Sequence, residues 1–220
     1  MTDMPPPAVT SMGSGDVAPY PARLEIAYPD RLNRVTTAFR LVLVIPIAIV
    51  AGILTGSGTV HSGSTTTTSA GITGGLFVAT LLLILFRQRY PRWWFDFALE
   101  LTRFTTRIGA YFALLTDNYP STVEHQTVAL DLDYPDVERD LNRGLPLVKW
   151  FLAIPHYIVL FFLGIGAVVS VIIAWFVILF TGRYPRTLFD YVVGVVRWGL
   201  RVEAYAFLLI TDRYPPFSLR

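Results

Sequence analysis

The chain has no cysteine among its 220 residues, so disulfide cross-links and thiol chemistry are excluded. Charged residues are also scarce, at 15% of the chain against about 25% in an average soluble protein. None occurs in residues 41–86 or in residues 150–182, and these two stretches hold most of the aliphatic side chains. Two uncharged stretches of this length are typical of membrane segments and predict an integral membrane protein.

Lysine is almost absent as well, because 17 of the 18 basic residues are arginine and only Lys149 is not. A guanidinium group pairs with phosphate or carboxylate through two hydrogen bonds, so this bias suits lipid headgroups or fixed ion pairs. Genomic base composition explains the same bias equally well. The formal net charge of +2 is too small to indicate a nucleic-acid partner.

The sequence repeats itself. The segment LEIAYPD at 24–30 recurs as LDLDYPD at 130–136, and RYPR at 89–92 recurs at 183–186. Thr116-Asp117 recurs as Thr211-Asp212, again followed after one residue by Tyr-Pro. Matches in the same order over roughly 95 residues predict two tandem copies of one unit. The two alternating segments, 24–28 and 128–134, are expected to be short strands that could pair with each other.

The offset between the copies falls from 109 residues at Ile45-Pro46 to 94 at Tyr90-Pro91, so copy one carries about 15 extra residues. The surplus matches an uncharged Gly/Ser/Thr tract at 56–70, which predicts a loop between two apolar arms. By analogy, the continuous apolar run of copy two is expected to turn near Gly164-Ile165-Gly166. Each arm has about 15 residues, fewer than the roughly 20 that normally span a bilayer, so the hairpins cross or only dip into the membrane. We expect crossing.

The predicted fold is therefore a mainly α membrane protein of two repeats, each with a short strand, a transmembrane helical hairpin and an interfacial amphipathic helix. The predicted boundaries are a disordered tail (1–21), repeat one (22–120; arms 39–55 and 71–86, helix 93–115), a linker (121–127) and repeat two (128–217; arms 148–163 and 166–181, helix 188–210). All basic residues then lie on one side. The positive-inside rule places both termini and both amphipathic helices on the cytoplasmic face of the cell membrane.

Each amphipathic helix carries a polar stripe. At 100° per residue, one acid, two arginines and a tyrosine share one face in each copy. The candidate lipid- or partner-binding residues are Asp96, Arg103, Arg107 and Tyr111 in copy one and Asp190, Arg197, Arg201 and Tyr205 in copy two. Glu100 joins the first stripe, whereas Glu203 falls on the opposite face, where copy one has Gly109.

Three interpretations of these stripes compete. Internal ion pairs at helical spacing would make them structural. Contact with anionic headgroups would make them a lipid-binding surface. A buried polar pathway between the copies would make the protein a transporter or channel component. No phosphate-binding glycine loop, zinc helix motif or nucleophile elbow occurs, so neither an enzyme nor a cofactor nor a metal site is expected.

Copy one contains Arg89-Tyr90-Pro91-Arg92, Ala110-Tyr111 and Thr116-Asp117, and copy two contains the run from Ile154-Pro155-His156 to Thr211-Asp212. Through these residues both copies resemble an uncharacterised bacterial family, domain of unknown function 4389. The resemblance covers about residues 22–217 and implies a multi-pass membrane protein, with no established activity. The function expected first is a non-enzymatic module that organises anionic lipid or a membrane protein partner; a transporter component is the alternative.

Overall fold

The computed structural model describes residues 19–55, 58–62, 65–69, 72–120 and 127–220, and the chain is mostly helical. Copy one contains β1 (Ala22–Ile26), α1 (Arg34–Thr55), β2 (Gly58–Ser62), β3 (Thr65–Ser69), α2 (Ile72–Leu82) with a π-helical turn (Leu83–Arg87), and α3 (Arg92–Phe112). Copy two contains β4 (Val128–Leu132), α4 (Val137–Asp140), α5 (Pro146–Leu152), α6 (Ile154–Thr181) and α7 (Arg186–Ala206). The predicted tail and linker lie outside the described residues except for 19–21 and 127.

The expected strand pair is confirmed. β1 and β4 form a two-stranded antiparallel sheet in which Ala22 lies opposite Leu132 and Ile26 opposite Val128. Both strands alternate buried and exposed residues, so one face of the sheet packs on the helices and the other carries charged side chains. Arg23 spans that polar face and pairs with Asp133 at 2.6 Å.

Each strand packs on the helix of the other copy, so that β1 lies against α7 and β4 against α3. The tyrosine that ends each strand segment repeats this exchange. The Tyr28 hydroxyl donates to the Tyr184 carbonyl, and the Tyr134 hydroxyl donates to the Tyr90 carbonyl. A contact that occurs twice at matching positions ties the two halves of the chain into one core.

The hairpin predicted for copy two, with arms 148–163 and 166–181, is wrong. α6 is a single helix of 28 residues that runs through Gly164 and Gly166 without a break. A turn inside an apolar run would leave backbone N–H and C=O groups without partners, whereas two glycines cost a helix only about 1 kcal/mol each. Gly166 instead marks a close approach, because a Cβ there would lie 2.5 Å from the Tyr191 hydroxyl oxygen.

In copy one, α1 and α2 contact each other on either side of the β2–β3 pair. The tract predicted as a loop at 56–70 thus includes two strands. α1 bends by 51° between its segments Arg34–Arg40 and Val42–Gly52. Pro46 accounts for a break here, since it has no N–H for the carbonyl four residues earlier and its ring crowds that carbonyl.

The helices that carry the polar stripes end earlier than expected, at Phe112 and Ala206. Leu114 and Leu209, which lie two and three residues beyond these ends, adopt positive φ angles of 64° and 56°, which stop a right-handed helix. α7 does not lie on a surface, because eleven of its residues are buried between α6, β1 and the C-terminal segment. The two arginines of its polar stripe, Arg197 and Arg201, therefore face other parts of the protein.

Candidate functional site

The first arginine of each polar stripe holds a strand. Arg103 Nε donates to the Leu130 carbonyl of β4 at 2.9 Å, and Arg197 Nε donates to the Leu24 carbonyl of β1 at 3.0 Å. The Arg103 guanidinium also pairs with Glu100 at 2.6 Å. The Glu100 pair fits the ion-pair interpretation of the stripes, whereas the bonds to strand carbonyls of the other copy match none of the three interpretations.

The other stripe residues divide between internal contacts and open surface. Arg201 donates to the Ser218 carbonyl at 3.3 Å and to the Arg220 carbonyl, so it holds the C-terminal segment. Arg107 is half-buried and engaged within the fold. Asp96 is exposed, 4.0 Å from Arg92, and Asp190 is exposed.

Tyr111 and Tyr205 do not belong to the stripes; each lies beneath a buried cation. The Arg40 guanidinium lies 4.3 Å from the Tyr111 ring centroid, and Lys149 Nζ lies 5.2 Å from that of Tyr205. Arg40 pairs with Asp117 and Lys149 pairs with Asp212. The structure thus brings a cation, an aspartate and a tyrosine together twice, at matching positions of the repeat.

Lys149 is the chain's only lysine, and it is fully buried although it is charged. Its Nζ lies 2.7 Å from Asp212 Oδ1 and donates to the Thr211 carbonyl at 2.8 Å. The second oxygen of Asp212 accepts from the Asn142 backbone N–H at 2.7 Å. Burial lowers the pKa of Lys149, and the hydrogen bond and charge of Asp212 oppose that shift.

Sequence reasoning missed these two clusters, although the signal was present. At an offset of 109 residues, Arg40 aligns with Lys149, and each is the last cation before an uncharged apolar run. Each Thr-Asp pair also recurs near the end of its copy. A repeated cation and a repeated aspartate with no other partner predict an ion pair. The sequence alone does not show that the chain folds back and brings the cation and the aspartate, more than 60 residues apart, into contact.

α6 presents the largest apolar surface. Ten of its residues are large hydrophobic side chains that are between 47% and 79% exposed, and they lie along the whole helix: Ile158, Phe161, Phe162, Ile165, Val168, Val169, Ile172, Ile173, Phe176 and Phe180. Only 11% of the most apolar 18-residue stretch of α6 is buried inside the protein. By length and composition α6 could cross a membrane. An exposed apolar surface of this extent marks a site of contact with lipid or with another protein.

The family model for a domain of unknown function, DUF4389, matches residues 146–218. Residues 146–218 are thus similar to the DUF4389 family. The matched residues run from α5 through α6 and α7 to the C-terminal segment, so the DUF4389 match includes the Lys149–Asp212 cluster and the membrane-like helix, and it confirms the family resemblance over copy two. No curated protein and no solved structure matches the chain.

Proposed function

We propose that this protein is a non-enzymatic membrane module, built from two copies of one unit, that gathers anionic lipid or a membrane protein partner at its arginine-bearing side. The observation that carries the proposal is the exposed apolar face of α6, which no other described element covers. In water that face would cost about 25 cal/mol for each Å² left exposed, whereas contact with acyl chains removes this cost.

The packing of α7 supports a particular orientation. On one side of α7, the Tyr191 hydroxyl donates to the Leu163 carbonyl of α6 at 2.9 Å. On its other side, Arg197 reaches the Leu24 carbonyl of β1 at 3.0 Å. The order of layers is therefore α6, α7 and sheet, with the apolar face of α6 at one outer surface and the charged face of the sheet at the other.

Contacts at both ends of α6 lead back to this polar side. Just before α6 begins, Lys149 pairs with Asp212; just after it ends, the Gly182 carbonyl accepts from the Leu32 N–H at 3.0 Å. A perpendicular crossing would bring the exposed charges of the sheet toward hydrocarbon depth, which costs several kcal/mol per charge. We therefore propose that α6 lies along the bilayer, with its apolar face in one leaflet and the sheet in water.

Two measurements on single-cysteine variants of the full chain test the proposal, and the absence of native cysteine makes labelling specific. A fluorophore at Ile172→Cys, on the exposed face, should be quenched by brominated acyl chains, and one at Ser170→Cys, on the buried face, should be quenched far less. Equal, weak quenching would contradict membrane contact. An impermeant reagent should label Trp150→Cys and Thr187→Cys from the same side of the bilayer; labelling from opposite sides would show that α6 crosses.

Glu203 favours the alternative function, a transport component with a polar site between the copies. It lines a cavity of about 40 Å³ between α2, α3 and α7, together with Thr80, Thr102 and Thr105. Burial raises the pKa of Glu203. A buried carboxyl group with a raised pKa among hydroxyl groups is one arrangement that binds and releases a proton. Proton flux into vesicles that contain the protein, abolished by Glu203→Gln, would establish this function.

A further inference from the structure

Three arginines surround a pocket of about 490 Å³ at the C-terminal end of α6. Arg31 lies just before α1, Arg34 is the first residue of α1, and Arg183 follows α6. Leu32, Thr181 and Gly182 complete the lining, so the pocket carries three positive charges and no carboxylate. All three arginines are exposed, and no described acidic side chain forms an ion pair with any of them.

The backbone beneath the pocket is fixed. The Leu32 N–H donates to the Gly182 carbonyl at 3.0 Å, and the Leu32 side chain is buried. Gly182 has a φ of +72°, and the place of its missing Cβ lies 3.3 Å from Arg34 Nε. The Arg34 guanidinium thus rests on bare backbone at the end of α6. Asp117, which accepts from the Asn33 N–H between Arg31 and Arg34, is already engaged by Arg40.

The pocket adjoins the apolar surface. Phe180, one residue before the lining segment, is 79% exposed, and Val35 and Phe39 on α1 are 66% and 61% exposed. Cationic side chains beside exposed aromatic and aliphatic groups are typical of the headgroup level of a bilayer. Guanidinium groups match phosphate oxygens in geometry. A ligand that suits this site therefore carries a phosphate group together with acyl chains that extend over α6.

The sequence repeat provides an internal comparison. The positions that correspond to Arg34 and Arg183 are Arg143 and Arg89, but the position that corresponds to Arg31 is Asp140. The corresponding set thus includes a carboxylate. Like charges that face one another cost free energy, so the three arginines around the pocket, whose lining has no carboxylate, favour a bound anion.

We propose that Arg31, Arg34 and Arg183 form a binding site for the phosphate headgroup of an anionic membrane lipid. The site rests on the proposed function, because its lipid is presented by the leaflet in which α6 lies. Each guanidinium near the membrane surface contributes a factor of about five in affinity, so the three together should contribute roughly 100-fold.

The test uses the full chain in phosphatidylcholine nanodiscs, titrated with short-chain phosphatidic acid and followed by native mass spectrometry. The variant Arg31→Gln/Arg34→Gln/Arg183→Gln should bind roughly 100-fold more weakly than the wild type. A matched control, Arg87→Gln/Arg89→Gln/Arg143→Gln, removes the same number of charges, with Arg89 and Arg143 as the repeat counterparts of Arg183 and Arg34, and should lose less than about fivefold. Arg34→Lys keeps the charge but not the fork, and should fall between them.

Three outcomes would overturn the site. The first is an equal loss of affinity in the two triple variants, and the second is no preference of the wild type for phosphatidic acid over phosphatidylcholine. The third is a loss of affinity in the Arg31/Arg34/Arg183 variant that accompanies a collapse of its melting temperature, while Arg34→Lys loses no affinity. Displacement of the lipid by an equal concentration of inorganic phosphate would show that the ligand is free phosphate. Failure of the proposed function is separate, because it would appear as loss of acyl-chain quenching at Ile172→Cys, which the triple variant leaves intact.

Discussion

The buried Lys149–Asp212 pair should be among the most sensitive points of the fold. In Asp212→Asn the amide oxygen can still accept from the Asn142 N–H, but the fully buried ammonium keeps only the Thr211 carbonyl and the Tyr205 ring. Removal of one partner from a buried ion pair typically costs 3–5 kcal/mol, because the remaining charge is not compensated. We expect a loss of about 3–5 kcal/mol in the free energy of unfolding at neutral pH.

The stability loss in Asp212→Asn should depend on pH, because it cannot exceed the free energy needed to remove the proton from Lys149. A lysine with an ordinary pKa of 10.5 can lose its proton at pH 7 for about 5 kcal/mol, and at pH 9 for about 2 kcal/mol. Because burial lowers the pKa of Lys149 in the folded state, the folded protein binds fewer protons than the unfolded chain between that pKa and 10.5, and stability rises with pH there. The penalty of Asp212→Asn should therefore shrink from pH 7 to pH 9.

Reversible unfolding in mixed micelles, followed by tryptophan fluorescence, gives these free energies. Lys149→Met leaves Asp212, which is 21% exposed and can meet water, so it should cost less than Asp212→Asn. The double variant Lys149→Met/Asp212→Asn should recover part of the loss and show no pH dependence. Asp133→Asn, which removes an exposed partner of Arg23, should change stability by less than about 1 kcal/mol. A loss below 1 kcal/mol for Asp212→Asn, or one that is the same at pH 7 and pH 9, would refute the reasoning.

Four further substitutions, one of them combined with Tyr191→Phe, test close contacts and a buried acid. Gly166→Ala should lower the melting temperature, because the new Cβ would lie 2.5 Å from the Tyr191 hydroxyl, and Tyr191→Phe alongside should restore it. Gly194→Ala would place a Cβ 2.8 Å from the Leu219 carbonyl oxygen and should cost about 1–3 kcal/mol, whereas Gly199→Ala on the same helix meets nothing within 4 Å and should gain about 1 kcal/mol. Because burial raises the pKa of Glu203, its contribution to folding stability is present in acid and is lost as the pH rises through the folded-state pKa. Glu203→Gln should therefore be more stable than the wild type at high pH and equally stable in acid. Equal stability of the two proteins at both pH values, measured by chemical unfolding, would contradict the raised pKa of Glu203.

Local signals in the sequence were sufficient for the strand pair but not for its neighbours. Alternation of apolar and polar residues predicted both strands, and their matching positions predicted the pairing of β1 with β4. The same signals do not say which helix each strand covers. Arg103 and Arg197 share a face with acids at helical spacing, which suggested ion pairs or headgroup contacts, yet their Nε atoms bind strand carbonyls of the other copy. Such contacts depend on how the chain returns, and periodicity carries no information about that.

The continuous α6 shows why analogy between the copies failed. Copy one needs a turn because its surplus tract separates two arms; copy two lacks the tract, and nothing else in 154–181 stops a helix. The pair Gly164 and Gly166 predicts a turn, but neither is among the glycines with a positive φ, and Gly166 is where Tyr191 packs on the helix backbone. Copy two, which lacks the tract, thus has one helix about 42 Å long, at 1.5 Å per residue.

A helix of that length changes what the two copies can do. In copy one the apolar arms turn back at β2 and β3, whereas in copy two a single rod carries an apolar face from the Lys149 end to the Arg183 end. A buried cation cluster occurs at matching positions in both parts of the sequence repeat, where it stabilises the core, whereas the long α6, the arginine pocket at its end and Glu203 in place of Gly109 each occur once. We expect a lipid or partner to distinguish one end of the protein from the other at these unmatched features.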